Sequence, residues 1–468
     1  MIFKQFYEPS LGHASYLLGS EQTGEALVLD VRRDVDAYFD FAREQGLRIA
    51  YAADTHQHND YLTGITQLEC RAPLELLSGA RAELGYRTRP LEDRERMGMG
   101  EIEFETLHTP GHTPEHVSLL VRDRSRGEEP LMLLSGGALL VADVARPDLL
   151  GDESEKRRNA RAMCKTLKEK ILILQDHVLV FPTHVSGSLC GGNIGSMLVT
   201  TIGYERKLND MLARIDNETD FEQRCLDLGP LPTVPPYWRR MRKQNQNGPA
   251  LLGVLAEPPA LQPEAFARGL NNGALVLDCR APEAFAGAHI PGAINVGAGS
   301  SFPTWAGSVL PEDADILLVV DDPAQLWDIY WQLLRIGYRQ PAGWLAGGMR
   351  AWRTAARPLA ALPQWTPEEL DARRRDARGL FILDVRQPAE WHAGHVPEAH
   401  HISGSELPER LAGVPTDRPV AVYCGSGYRS SVAASLLKRS GHRDVYNVIG
   451  GFSAWEAARL PVEGRADD

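Results

Sequence analysis

Short apolar runs alternate with longer stretches of mixed polarity along most of the chain. Leu380-Phe381-Ile382-Leu383 and Val420-Ala421-Val422-Tyr423 are uninterrupted runs, the pattern of strands buried on both faces of a parallel sheet. A helix is expected over 431–439, so strand and helix alternate as in an α/β fold. Nearer the N-terminus, Leu27-Val28-Leu29, Ile49-Ala50-Tyr51-Ala52 and Leu131-Met132-Leu133-Leu134 run into polar loops rich in His, Gly and Asp. A helical stretch is expected over 153–169, and a strand, Val178-Leu179-Val180-Phe181, leads towards His184.

The second half repeats itself. Leu277-Asp278-Cys279-Arg280 with Gly287-Ala288-His289-Ile290-Pro291 matches Leu383-Asp384-Val385-Arg386 with Gly394-His395-Val396-Pro397. Ala346-Gly347-Gly348-Met349-Arg350-Ala351-Trp352 matches Ile449-Gly450-Gly451-Phe452-Ser453-Ala454-Trp455. The period, about 105 residues, is that of a domain and not of a solenoid unit. Three domains are expected: 1–250 with a C-terminal arm, 258–358 and 364–465, the last two being copies of one fold. The arm is assigned to proline-rich 230–236 and basic 239–243.

Composition narrows the function classes. The 468 residues are 43% hydrophobic and 24% charged, ordinary for a globular protein, with a formal charge of −12 and no basic tract longer than 239–243. Nucleic acid is not an expected partner. No apolar run reaches the length of a membrane helix, and Met1-Ile2-Phe3-Lys4-Gln5 does not begin a signal peptide, so a cytoplasmic protein is expected. The six cysteines contain no C-x-x-C pair, which argues against a disulfide framework or a thiolate zinc site.

One cysteine stands in a special loop. Tyr423-Cys424-Gly425-Ser426-Gly427-Tyr428-Arg429-Ser430 lies between an expected buried strand and an expected helix. Gly425 and Gly427 permit unusual backbone angles, so successive N–H groups can form an anion nest that, with Arg429, favours a thiolate. Such a thiolate can take sulfur from a donor, hold it as a persulfide and yield it to an acceptor. The loop resembles the active loop of the rhodanese family, which runs from Cys to Arg with four residues between. Asp384-Val385-Arg386, Gly394-His395-Val396-Pro397 and Gly450-Gly451-Phe452-Ser453-Ala454-Trp455 resemble that family's other landmarks. The resemblance implies sulfur transfer at Cys424, with Arg429 assisting and Gly425, Ser426, Gly427 and Tyr428 forming the persulfide loop. Related cysteine phosphatases have a loop one residue longer. In the first copy, aligning Leu318-Val319-Val320 with Ala421-Val422-Tyr423 places Asp321 at the nucleophile position, so that copy is expected to be inactive.

Histidines gather at strand ends in the first domain. Thr55-His56-Gln57-His58-Asn59-Asp60-Tyr61 follows an apolar strand, and alternate residues on extended chain face one side, so His56 and His58 could share a metal. His108, His112 and His116 form a second group and His184 stands alone. Three neutral imidazoles could hold one metal and leave a position open for substrate.

These stretches, with Pro182-Thr183-His184-Val185-Ser186-Gly187-Ser188-Leu189-Cys190-Gly191, resemble the metallo-β-lactamase fold and its persulfide dioxygenase branch. The domain order is similar to that of bacterial fusions of persulfide dioxygenase with rhodanese. The resemblance implies an αββα sandwich followed by two rhodanese-like α/β domains. It also implies one Fe(II) per chain, held by two His and one Asp, and oxidation of a low-molecular-weight thiol persulfide by O₂ to sulfite and thiol. The two histidines fall on His56 and His112, but the Asp falls on Gly137 of Ser135-Gly136-Gly137, which has no side chain. Tyr61 replaces a histidine of the fold's second metal position, which disfavours a dinuclear hydrolase.

Three readings stay open. His56, His58 and His112 hold Zn or Fe, with His184 a further candidate; or Asp60, or Asp143 if its loop moves, supplies a carboxylate and restores iron; or the domain is a metal-free scaffold beside a sulfurtransferase. A mononuclear metal-dependent thioester hydrolase is a further alternative. Expected small partners are glutathione persulfide or a similar persulfide, with thiosulfate or sulfite, and a homo-oligomer is expected from the size of the chain.

Overall fold

The computed structural model describes residues 1–149, 151–227, 233–253, 255–376 and 379–464. The chain divides into two compact units, Met1–Gly229 with Trp238–Gly253, and Pro230–Tyr237 with Val254–Asp468. Residues 230–232 of the proline-rich segment, and Arg465 at the end of the last expected domain, lie outside the described residues.

Two six-stranded sheets build the first unit. Ile2–Glu8, His13–Gly19, Glu25–Leu29, Arg48–Ala53, Glu75–Gly79 and Arg89–Leu91 lie in chain order in one. The other runs Thr200–Thr201, Leu179–Pro182, Met132–Gly136, Val117–Asp123, Ile102–His108 and Arg96–Met99. Neighbouring residues on a strand point to opposite faces, and the apolar runs use both. Leu18, Leu27 and Leu77 pack in one core with Phe104, Leu119, Leu134 and Phe181 of the facing sheet. Leu17, Val28 and Leu76 point the other way, onto Tyr38 and Ala42 of helix Asp36–Glu44 and onto Ile65 and Leu68 of helix Ile65–Arg71. Leu120 and Leu133 likewise meet helices Glu153–Thr166 and Glu218–Leu226. The result is the expected αββα sandwich.

Two local expectations need correction. The helix expected over 153–169 is α-helical only over Glu153–Thr166, started by a capping box at Asp152, and continues as a π-helical turn over Leu167–Ile171. The basic stretch 239–243 is not a joining arm but part of helix Trp238–Asn247 in the first unit. Asn245 on that helix donates to the carbonyls of His58 and Tyr61, each at 2.8 Å, and accepts from the Thr63 amide at 3.0 Å. The helix thereby holds the histidine loop from behind.

The second unit holds two five-stranded parallel sheets of identical order. One is Ala260–Leu261, Gly343–Leu345, Ile316–Val319, Leu275–Asp278 and Ile294–Asn295. The other is Gln364–Trp365, Val445–Val448, Val420–Tyr423, Phe381–Asp384 and His400–His401. The helix after Val420–Tyr423 spans Tyr428–Arg439, starting earlier than the expected 431. In both copies an aspartate at a strand end binds an arginine two residues on: Asp278 with Arg280 at 2.7 Å, and Asp384 with Arg386 at 2.6 Å.

Strand register corrects the alignment of the copies. Asp384 pairs with Tyr423, and its counterpart Asp278 pairs with Val319. The residue after each is therefore equivalent, so buried Val320, not Asp321, stands where Cys424 does. The same equivalence appears at the Gly-Gly turns. A Cβ on Gly451 would meet the Cys424 carbonyl oxygen, and one on Gly348 would meet that of Val320.

Arg386 is 4% exposed and Asp384 fully buried, so removing the guanidinium strands an uncompensated carboxylate. Arg386→Leu is expected to cost about 3–5 kcal/mol. The unfolding step carrying the second unit, followed by scanning calorimetry, should move to lower temperature.

Candidate functional site

Cys424 directly follows the buried strand Val420–Tyr423, and helix Tyr428–Arg439 begins four residues later from Gly427, whose φ is +111°. That φ is disfavoured for residues with a Cβ and explains the glycine. The turn brings the Gly427 amide to donate to the Cys424 sulfur at 3.1 Å. The thiol in turn lies 3.5 Å from Ser430 Oγ, which donates to the Gly427 carbonyl. The loop's carbonyls are tied elsewhere: Phe452 N–H donates to Cys424 O at 2.7 Å and Ser453 N–H to Gly425 O at 3.0 Å. This is the work of the Gly450-Gly451 turn. Negative charge on sulfur is thus met by an amide and by the positive end of a helix of twelve residues.

Cys424 is fully buried, and Arg429 is its charged neighbour. Burial opposes charge on Arg429, but Glu390 and Cys424 beside it raise its pKa. Arg429 binds Glu390 through both terminal nitrogens, at 2.5 and 2.7 Å. Tyr428 does not turn to the sulfur; its hydroxyl donates to Gly297 O of the first copy at 2.8 Å. Cys279 is buried among apolar neighbours, and burial drives its pKa well up, so it is poorly suited to nucleophilic work.

In the first unit the structure gathers His56, His112 and His184, whose ligating nitrogens all lie within 4.8 Å of one another. Each ring is oriented by a partner on its Nδ1. His56 meets Thr55 Oγ1 at 2.9 Å, and that hydroxyl donates onward to Asp30. His112 donates to Arg146 O at 3.1 Å, and His184 Nδ1 lies 3.4 Å from Asp60 Oδ2. All three therefore present Nε2 to a common point, the arrangement that partners of metal-bound histidines produce. The His56 and His184 Nε2 atoms are 3.3 Å apart, matching the roughly 3–3.5 Å between two nitrogens that share one ion at ~2.1 Å. Burial lowers the pKa of His56 and of His112, keeping these imidazoles neutral. Burial acts on His184 in the same sense, but Cys190 and Asp60 beside it raise its pKa to about 10. The three residues fit one metal ion.

The other sequence candidates fall outside that set. His58 points its Nε2 to Asp30 at 3.1 Å, because the chain bends at residues 55–56 and 59–61 and is not extended. Asp60 supports His184 from its far side. Asp143 is held by the amides of Val144, Gly192 and Asn193. His108 bonds Pro114 O, and His116 accepts from the Gly137 amide at 2.8 Å. Tyr61 is buried against His13 and His58. The sequence analysis does not single out Asp30, Thr55 or the Arg146 carbonyl as orienting groups; a threonine directly before His56 is the one local signal.

The rhodanese-like domain family matches residues 262–355 and 366–458. The human mitochondrial persulfide dioxygenase ETHE1 is 30% identical over 218 residues, which is 45% of this chain and 76% of that protein. A sulfurtransferase of Allochromatium vinosum is 37% identical over 95 residues, 20% of this chain and 89% of its own length. Among solved structures, a metallo-β-lactamase from Staphylococcus aureus superposes with a TM-score of 0.66 at 32% identity, covering 74% of this chain and 99% of its own. The chain belongs to the persulfide dioxygenase–rhodanese fusion family, a metallo-β-lactamase-fold domain followed by two rhodanese domains. No helix among the described residues is long and apolar enough to cross a membrane.

Two metal-content outcomes follow. His184→Ala should lower bound metal at least about tenfold, while His58→Gln should lower it less, measured by elemental analysis of the purified chain. A Cβ at Gly137 would lie 2.6 Å from Cδ2 of His112. Gly137→Asp, which the family pattern suggests would add a ligand, is therefore expected to displace one and to reduce bound metal.

Proposed function

We propose that this chain is a persulfide-handling enzyme with two centres: a sulfurtransferase at Cys424 and an iron-dependent persulfide dioxygenase at His56, His112 and His184. The observation that carries the first is the Gly427 amide on the Cys424 sulfur, at the junction of a buried strand and a long helix. Outer sulfur of a donor is attacked by the thiolate; the donor's S–S bond breaks and its electron pair leaves with sulfite, from thiosulfate, or with a thiolate, from an organic persulfide. Cys424 then bears a persulfide, whose outer sulfur passes to cyanide or a thiol as the Cys424 thiolate returns. The amide stabilises both anionic states.

In the first domain, bound Fe(II) would supply the means of bringing O₂ to a persulfide. The chain's own part is to hold three Nε2 atoms towards one point, with Thr55, the Arg146 carbonyl and Asp60 fixing the rings. With His184 giving up its proton on binding, no carboxylate would stand among the three ligands, and the ion's charge would be left to attract an anionic persulfide. Glutathione persulfide or a similar low-molecular-weight persulfide is the substrate class, and the covalent link between the centres keeps their shared sulfur species at raised local concentration.

The two centres are separable by mutation. Cys424→Ser should lower sulfur transfer from thiosulfate to cyanide by roughly a thousandfold or more and leave persulfide-dependent O₂ uptake in place. His56→Ala should do the reverse. Undiminished transfer by the Cys424 variant, or O₂ uptake independent of iron, overturns the reading of that centre.

A further inference from the structure

Two arginine–carboxylate pairs lie near Cys424, and the internal repeat separates their roles. The Asp384–Arg386 pair is kept in the copy without the nucleophile, as Asp278–Arg280, and so serves the fold. The Glu390–Arg429 pair is not kept. Phe285 stacks on His289 in the first copy as Trp391 stacks on His395 in the second, so Ala284 stands where Glu390 does. Counting on from Val320, the counterpart of Cys424, Gln325 stands where Arg429 does. Both members are absent where the reactive sulfur is absent.

The pair's geometry says what it does. Both terminal nitrogens of Arg429 are committed to the two oxygens of Glu390. Glu390 is itself held by the first turn of helix Pro388–His392, where its Oε2 accepts the Gln387 amide at 3.0 Å. Glu390 is 37% and Arg429 21% exposed, while the sulfur beneath is fully buried. A Cβ on Gly425 would lie 2.9 Å from Arg429 Nη2 and 3.6 Å from Glu390 Oε1, so both groups lie over the loop. The nearby guanidinium of Arg386 is likewise spoken for, by Asp384 and the Gly394 carbonyl. An incoming donor thus meets cations that are already neutralised.

We infer that Glu390 is a specificity-determining residue that cancels the charge of Arg429 and sets the loop to prefer organic persulfides, with one negative charge at the transferable sulfur, over the dianion thiosulfate. Attraction for the second charge of thiosulfate requires an unmatched cation at the mouth, and Glu390 removes it. This inference rests on the reading of Cys424 as the sulfur carrier.

The test compares donors in the full-length chain. The ratio of kcat/KM for thiosulfate to kcat/KM for the persulfide of 2-mercaptoethanol, a monoanion, is measured for wild type, Glu390→Gln and Glu390→Asp, with Cys424→Ser as the control. Glu390→Gln should raise that ratio on the order of tenfold at low salt, through a lower KM for thiosulfate, with the gain shrinking as ionic strength rises. Glu390→Asp, which retains the charge, should keep the wild-type ratio. A ratio unchanged within about twofold, or moved towards the persulfide, overturns the inference while Cys424→Ser remains inactive with both donors. If Cys424→Ser stays active, the sulfur-carrier reading itself has failed.

Discussion

A reduced sulfur anion buried inside a protein has to find its hydrogen bonds in the protein itself. At Cys424 the chain meets that demand by turning a loop so that its carbonyls point to one helix start and its sulfur towards another. The Gly450-Gly451 turn receives the carbonyls of Cys424 and Gly425 on the amides of Phe452 and Ser453. The Gly427 amide is then left for the sulfur. Both glycine turns have left-handed backbone, and at Gly451 a Cβ would run into the Cys424 carbonyl itself. Loop, turn and helix therefore depend on one another: the Gly-Gly turn is kept in the first copy and serves the fold, while Gly427 belongs only to the loop that carries the sulfur.

The same logic organises the histidine cluster. A bare imidazole can rotate and can carry its proton on either nitrogen; a ring with a partner on Nδ1 can do neither freely. Thr55 with Asp30, the Arg146 carbonyl and Asp60 each fix one ring of the three. Gly137 brings no carboxylate to the cluster, and His184 stands beside His56 as a third imidazole. His116 has a structural part here: it accepts the Gly137 amide and crowds Gly136, fixing the turn that comes closest to His112.

Much of this architecture was legible in the sequence. Apolar runs such as Leu27-Val28-Leu29 marked inner strands because these are buried on both faces, while the sandwich itself came from the family resemblance; the repeated Asp-x-Arg and Gly-Gly elements gave the two copies because they are fold-keeping contacts. What escaped detection had physical reasons. Leu317-Leu318-Val319-Val320 is apolar throughout, with nothing to mark where the strand ends, so the first copy's register slipped by one residue until the pairing of Asp278 with Val319 fixed it. The rule for extended chain pairs His58 with His56, but the loop bends and turns His58 to Asp30. His184 is 128 residues from His56, and no local pattern joins them. Helix Trp238–Asn247 reads as a basic linker because its charged face hides the one asparagine that holds the histidine loop.

The central claim is that Cys424 carries sulfur in a pocket made for its anion. Mass spectrometry of the full chain after exposure to a persulfide donor, with peptide mapping, tests it most directly. The account predicts one added sulfur atom, located on the peptide containing Cys424 and removed by cyanide. An unmodified Cys424 peptide, or sulfur added instead to one of the other five cysteines, would contradict it.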